Sequence, residues 1–426
     1  MTTLASGKIA EVLFENALDT YEDQTMLVDK TDVFTPDPGS MQNSNNVIWR
    51  PVQQHAPVIE GWDLSGQEQE IIEETYPAVL GDPKNDFVQQ RIDNLRDSTF
   101  WERRGKQAGK QQATNLNTGI ANLIKNSGSL FYRSNATSGF DFISEAQALM
   151  NERQGHHTNR CFVLNDRDNQ TFGQDLASRQ TIKGRPSDTW ANGQIGSNVA
   201  EFDVYTGSFN PSLTGGAAIS TTTTAAASFA PEGGTVDATT SAVTNVDYRS
   251  ATLAVTASAS YNVGDKVEIH NGGTAIQSIG LADKNATDQP MTFTVVAKPT
   301  GTSLTIFPKP IAADDGALST TEKAYANVDT TITSGATIER INTDATNKTN
   351  LFWDRDAIEV LGGDVPMELM SQFDGKKVIS ETMSNGLNMY MVYDSELSGL
   401  TLRYRLFTWY GLTMKDPSRA GVAVTF

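Results

Sequence analysis

Residues 40–64, SMQNSNNVIWRPVQQHAPVIEGWDL, carry more aromatic surface than so short a stretch can bury on itself. Val47, Ile48, Trp49 and Val52 form a β-prone run broken by Pro51, and Pro57 precedes a second run, Val58 and Ile59, that ends in Gly61, Trp62, Asp63 and Leu64. Two such runs joined by a polar, proline-marked link predict a hairpin. An isolated two-stranded hairpin is marginal in water. Trp49 and Trp62 therefore need a second surface, which is either the hairpin's own domain or a neighbouring subunit.

The chain has 426 residues, or about three domain-sized units. Only 38% of residues are hydrophobic, while Gly and Thr are plentiful, which favours a β-rich protein with much surface in loops or in contact with partners. A net charge of -18 makes the chain a poor DNA binder, because affinity for phosphates comes from Lys and Arg. The single cysteine, Cys161, excludes an intrachain disulfide and fits a reducing compartment. The first residues, MTTLASGKIAEVLFENALD, lack the basic-then-apolar order of a secretory signal, and no run of about 18 apolar residues predicts a membrane span. The N-x-S/T sequons at Asn135, Asn169, Asn285 and Asn347 are then read as chance.

Helical spacing predicts an N-terminal helix over 7–28, with Ile9, Val12, Leu13 and Leu18 near one face and Glu11, Glu15, Asp19, Glu22 and Asp23 making the rest acidic. Such a helix is either a solvated cap on the core or a docking site for a basic helix. A long helix is predicted over 82–126, started by Pro83 and ended by Gly128. Gly105 and Gly109 weaken its middle by roughly 1 kcal/mol each relative to Ala, so a bend is expected there. The cations between the stripes, Arg103, Arg104, Lys106 and Lys110, lack phosphate-loop spacing and are read as a helix face pairing with acids. Residues 142–152 predict a helix, 161–164 a buried strand, and 165–169 a polar loop.

No Lys or Arg occurs between Arg185 and Arg249, and the Thr/Ala/Gly-rich stretch 212–244 within that gap reads as a linker or weak strands. Alternating runs follow at 251–257, 261–269, 291–297 and 303–307, with a Gly-Asp turn at 264–265 and a turn at 299–302. Short strands at regular spacing predict a small β-barrel or sandwich over about 219–340. Strands are also expected at 400–409 and 420–426.

The catalytic inventory is thin. His156, His157 and Cys161 make a poor metal set, since adjacent histidines seldom face one ion and no second Cys is present. No nucleophile elbow or zincin helix occurs. No enzyme activity, metal or cofactor is expected.

Several blocks, in one order along the chain, resemble the coat proteins of P22-type short-tailed double-stranded-DNA bacteriophages. They are Ser40-Met41-Gln42, Ile48-Trp49, Pro51-Val52 and Glu60-Gly61-Trp62-Asp63-Leu64; Gly81, Pro83, Asn85-Asp86-Phe87, Arg91, Leu95-Arg96-Asp97 and Arg103-Arg104; Asn245-Val246-Asp247 with Arg249, Gly264-Asp265-Lys266, Lys309-Pro310, Asp314-Asp315 and Ala324-Tyr325-Ala326-Asn327-Val328; and residues 350–358 with Trp409-Tyr410-Gly411. The tract 221–244 departs from the family pattern.

The resemblance implies an α+β chain with the HK97-type capsid fold and an inserted antiparallel β-barrel domain. It implies an N-terminal arm (1–34), an extended hairpin loop (35–80), the spine helix of a peripheral domain (81–128), an axial-domain part (129–218), the inserted barrel (219–340) and a return to the axial and peripheral domains (341–426). Glu15 and Asp19 take the family's scaffold-binding positions, with Asn16 where a third acid can stand. Trp49, Arg50, Trp62 and Asp63 fall on the intersubunit loop. Glu232, Asp237, Asp247 and Arg249 are the candidate inserted-domain contacts, and Gly105 and Gly109 the candidate helix hinge. The expected partners are further copies in pentamers and hexamers, a scaffolding protein, and a portal protein at one vertex. The shell would enclose double-stranded DNA without sequence-specific binding and without a membrane, in a virion assembled in the bacterial cytoplasm and expanding on DNA packaging. Two other readings stay open: an encapsulin-like nanocompartment shell, and a β-rich surface or carbohydrate-binding protein.

Overall fold

A computed structural model describes residues 6–52, 60–62, 65, 74–91, 98–134, 139–153, 159–178, 194–233, 235–236, 239–240, 243–244, 247–343, 347–367, 377–396, 399 and 401–425. The chain forms two compact units. The first comprises Met1–Ile48, Ala78–Ile120 and Ile358–Thr413, and the second Trp49–Pro77, Ala121–Ala357 and Met414–Phe426.

In the first unit, helix α1 (Ser6–Gln24) buries Ile9, Ala10, Leu13, Phe14, Ala17 and Tyr21 on one face. Burying each of the large ones stabilises by about 1.5–3 kcal/mol. That face lies on helix α3 (Ser98–Ser127) at an unusually close approach. A Cβ built on Gly105 would stand 2.5 Å from the Leu13 carbonyl oxygen, and one on Gly109 would run into the Ala17 carbonyl oxygen. The glycines sit one helical turn apart, as do Leu13 and Ala17, so the two backbones meet along a matched pair of turns. The α1 C-terminus is capped from α3, where Asn117 Nδ2 donates to the Gln24 oxygen (2.9 Å). A short helix α2 (Pro38–Asn43) begins with Pro38 at its first turn and Asp37 as N-cap, whose Oδ2 accepts from Ser40 N at 3.1 Å.

A four-stranded antiparallel sheet runs in the order Lys377–Thr382, Asn388–Glu396, Thr401–Thr408, Lys84–Arg91. The last strand corrects the helix predicted from residue 82. Val88, Ile92 and Leu95 mimic a helical stripe, but Lys84–Arg91 alternates in burial and pairs over its full length with Thr401–Thr408. Residues 92–97 lie outside the described residues. Asp86 accepts both hydrogen bonds of one Arg104 nitrogen (2.6 and 2.7 Å), Arg104 Nε donates to Tyr404 Oη (2.9 Å), and Trp101 packs edge-on against Tyr404. The cation cluster of α3 thus includes the acid-paired face expected for it. A three-stranded sheet of Asp32–Phe34, Ile358–Gly362 and Tyr410–Met414 completes the unit.

The hairpin strand Val47–Pro51 pairs with Thr75–Val79 rather than with residues 58–59, which lie outside the described residues. Val52 N donates to the Glu74 oxygen (2.8 Å) and Leu80 N to the Asn46 oxygen (3.0 Å). The hairpin is therefore wider than predicted, and residues 40–43 belong to α2.

Among the described residues, the second unit holds, beside three two-stranded sheets, two larger ones. One has the order Leu130–Ser134, Ala420–Thr425, Asn350–Asp354, Arg160–Leu164, Phe202–Thr206, Gln194–Val199, mixed parallel and antiparallel. Helix α4 (Gly139–Glu152), close to its predicted span, and helix α5 (Asp166–Ser178) pack on it around Phe142, Phe162, Phe172, Phe202 and Phe352. Helix α5 corrects the loop predicted over 165–169. Asn165 is its cap, with Oδ1 accepting from Arg167 N and Asp168 N at 3.0 Å each. The other sheet is antiparallel, in the order Ser220–Thr222, Thr337–Arg340, Lys266–Asn271, Thr292–Ala297, Ser303–Phe307, Ala251–Ala254, with Thr274–Ala275 folded onto Lys266–Asn271. It encloses Leu253, Val267, Phe293, Leu304 and Ile338 among others. Just beyond its two outermost strands, Thr224 N donates to the Ala254 oxygen and Thr256 N to the Thr222 oxygen, both at 2.9 Å.

Lys266 is fully buried at the foot of this sheet. Its ammonium donates to the Lys125 and Gly128 oxygens at the end of α3 (2.9 and 2.7 Å) and to Thr294 Oγ1 (2.7 Å). A cation at a helix C-terminus satisfies orphan carbonyls and meets the negative end of the dipole. Burial, reinforced by the Lys125 charge, pulls its pKa down to about 7.

Two outcomes are expected in urea denaturation of the unassembled chain. Gly109→Ala gains about 1 kcal/mol of helix propensity and loses about 1–3 kcal/mol by overpacking, so it should destabilise; a stabilised variant would mean the helices separate freely. Lys266→Met takes its donor from the Lys125 oxygen and leaves the Gly128 oxygen with Thr294 Oγ1 (3.1 Å), at a cost of about 1–3 kcal/mol. The folded pKa of Lys266 lies below the unfolded value of 10.5, so the folded chain releases this proton first and wild-type stability should gain an increment as pH rises above about 7. Lys266→Met should lack that increment; an identical pH profile would refute the assignment.

Candidate assembly interface

Trp62 is 107% exposed, more open than in a reference peptide, and Glu60 beside it is exposed as well. Gly61 takes a φ of +149°, a conformation that side chains rarely adopt. The hairpin thus presents an indole with no cover from the described residues of its own chain. Trp49 and Arg50 lie half-buried on the strand Val47–Pro51, away from this tip, while Asp63 falls outside the described residues.

A groove of about 550 Å³ opens on one face of the four-stranded sheet. The register explains its lining, because Val392, Arg405 and Phe87 stand side by side on three adjacent strands, as do Tyr390, Phe407 and Asn85. Phe87 is 66% exposed, and Val365, Met367 and Trp409 form the remaining apolar wall. Tyr390 stacks on Phe407 with ring centres 5.2 Å apart, and the Arg405 guanidinium lies 5.2 Å from the Phe407 ring centre. Arg403 also lines the groove. The site is largely apolar, and its charged lining is Arg403, Arg405 and one acid, Asp394, opposite Arg403 in the register. Sequence reasoning missed it: with 82–95 read as a helix, nothing placed Phe87 beside residues 392 and 405. The usable signal was the alternation of Asn85, Phe87, Gln89 and Arg91.

The acidic face of α1 is a single exposed stripe, Glu11, Glu15, Asp19 and Asp23, at four-residue spacing. Neighbouring carboxylates one turn apart repel, so the stripe costs helix stability unless a cation covers it. Asn16 does not extend it, because its Nδ2 is turned back to the Val12 oxygen (2.7 Å). Glu22 is taken up by Ser384 N (2.7 Å).

The remaining candidate residues separate. Glu232 is exposed, and Asp237 falls outside the described residues. Asp247 and Arg249 pair with each other (2.9 Å), and Arg249 further donates to the Met414 oxygen (2.5 Å) between the rings of Tyr76 and Phe307. Arg249 is thus turned onto its own chain. Gly105 and Gly109 are the seat of α1 within a continuous helix. His156 and His157 fall outside the described residues, and among the described residues no three His, Cys, Asp or Glu side chains are grouped to hold a metal ion. No described helix is long and apolar enough to cross a membrane.

Solved structures with a similar chain path are phage shells and related particles. The capsid of cyanophage P-SCSP1u matches with a TM-score of 0.45 and 9% identity, over 94% of this chain and 88% of that one. The mature capsid of bacteriophage PhiM1 matches at 0.40 and 9%, over 93% and 85%, and a virus-like particle from Pyrococcus furiosus at 0.40 and 7%, over 97% and 98%. The sequence itself matches the family described as P22 coat protein, gene protein 5, over residues 1–425. With a match spanning almost every residue, this chain belongs to the P22 coat protein family.

Proposed function

We propose that copies of this coat protein assemble, around a scaffolding protein, into an icosahedral procapsid that expands as double-stranded DNA is packaged. The family match over residues 1–425 carries this reading. The peripheral parts of the HK97-type arrangement correspond to the first unit, and the inserted domain to the sheet of residues 220–340. We read that sheet as a closed barrel, supported by the paired bonds between Thr222–Thr224 and Ala254–Thr256. A net charge of -18 suits a shell that contains DNA without gripping it.

The intersubunit contact is the Trp62 tip of one copy in the groove beside Phe87 of another. No described residue of its own chain covers the indole, the groove is largely apolar, and Glu60 and Asp63 flank Trp62 in sequence while Arg403 and Arg405 outnumber Asp394 on the groove's rim. An aromatic anchor with charged flanks is the usual make-up of an interface hot spot. One such contact is weak, and closure of the shell multiplies it. The stripe Glu11, Glu15, Asp19 and Asp23 is the seat for a basic helix of the scaffolding protein. The portal partner rests on family membership alone.

Expressed with its scaffolding partner, the wild type should give uniform closed shells by electron microscopy. Trp62→Ala and Phe87→Ala should each shift most protein from shells to unassembled subunits in sedimentation, without changing the melting of the monomer. Normal shells from both variants would remove the groove from the assembly contact. Glu15→Lys with Asp19→Lys should reduce scaffolding protein recovered in procapsids, and in wild type that recovery should fall as salt rises. Salt-independent recruitment would argue against the acidic stripe.

A further inference from the structure

A cavity of about 120 Å³ lies in the second unit, where the hairpin root at Val52 and Glu74 meets residues 308–327 and 415–419. Five cationic side chains line it, Arg249, Lys284, Lys309, Lys415 and Arg419. The lining carboxylates are already committed. Glu74 Oε1 stands 3.7 Å from Lys309 Nζ, and Asp416 and Asp356 stand 3.1 and 4.0 Å from Arg419. Arg249 has Asp247 at 2.9 Å.

Lys284 is different. Its ammonium makes one long hydrogen bond, to the Ala326 oxygen at 3.4 Å, and among the described residues no carboxylate lies within ion-pair distance. Burial alone pulls its pKa down to about 8, as expected of a cation without a counter-charge. Arg153 stands behind the wall and is 2% exposed. Its Nη1 rests 3.1 Å from Met291 Sδ, and its carbonyl accepts from Leu281 N (3.4 Å); Met291 and Leu281 both line the cavity. Among the described residues, Arg153 Nε and Nη2 meet no hydrogen-bond partner. A buried guanidinium with two unpaired nitrogens is costly to take from water, and a half-buried lysine without an acid is costly to a lesser degree. An anion beside Lys284 lowers the cost of that charge directly and that of the Arg153 charge through its field.

We propose that this cavity binds one small inorganic oxyanion of the phosphate type, with Lys284 as the direct contact and Arg153 supplying favourable field from behind the wall. The space is well above the ~10–15 Å³ that a single water needs, so a small polyatomic anion has room there. The bound anion neutralises the Lys284 charge where the hairpin root joins the inserted sheet, so it stiffens that junction. Nothing in this depends on the shell contact proposed above, since the site is complete within one chain.

Equilibrium dialysis of the full-length unassembled chain against labelled inorganic phosphate, with ionic strength fixed by chloride, tests the site. Saturable binding of about one phosphate per chain is expected, with competition by sulfate. Lys284→Gln should weaken it by at least about tenfold, the equivalent of one lost charge-assisted hydrogen bond. Lys298→Gln should leave it unchanged, because that ammonium is held by the Tyr261 oxygen away from the cavity. Circular dichroism melting confirms that each variant is folded. No saturable binding in the wild type, or equal binding by folded Lys284→Gln, overturns the proposal.

Discussion

The contact on which most else rests is the Lys266 ammonium at the end of α3. Among the described residues it has no carboxylate partner; two helix-end carbonyls and one hydroxyl hold it instead. The sheet of residues 220–340 is thereby fastened to the helix terminus by a nitrogen whose removal takes the donor from the Lys125 carbonyl. Around that point the sheet is locked a second time, through the buried pair of Asp265 and Arg340 (2.6 Å) and the Asn342 amide on the same carboxylate (3.1 Å). Such a pair is weak evidence of stability for its own sake. Its value is geometric, since it fixes the strand that carries Lys266.

What could be read in advance follows from how local the deciding forces are. The strands at 292–297 and 303–307 were legible because their alternation and the turn between them are neighbours in sequence. The helix from residue 139 was legible because Phe142, Ile143, Ala146 and Met150 repeat on one face. The strand Lys84–Arg91 was not, because its partner Thr401–Thr408 lies some 300 residues on and outweighs a helix-like apolar spacing. Helix α5 was hidden by its polarity. Only Phe172 buries fully among its described side chains, and its start is announced by a capping Asn165 that reads equally well as loop.

The candidate site divides along the same line. The Trp62 tip and the acidic stripe are written in contiguous residues and could be picked out. The groove could not, since it is assembled from three segments of chain. Gly105 and Gly109 are instructive in another way. Two glycines in a helix read as weakness, and here they are the only residue type that admits the α1 backbone. Propensity argued about the helix alone, whereas the packing partner decides the residue.

The interleaving of the two units has a consequence for synthesis. The first unit is built from Met1–Ile48, Ala78–Ile120 and Ile358–Thr413, so its four-stranded sheet cannot close until Thr401–Thr408 has left the ribosome. The sheet of residues 220–340 needs no later segment and can form while the rest is still being made. The Phe87 groove, composed of residues from both ends of that interval, is therefore among the last surfaces to appear. For the contact proposed above, a nascent chain would expose Trp62 early and form the Phe87 groove late, so a half-made subunit would carry only one half of that contact.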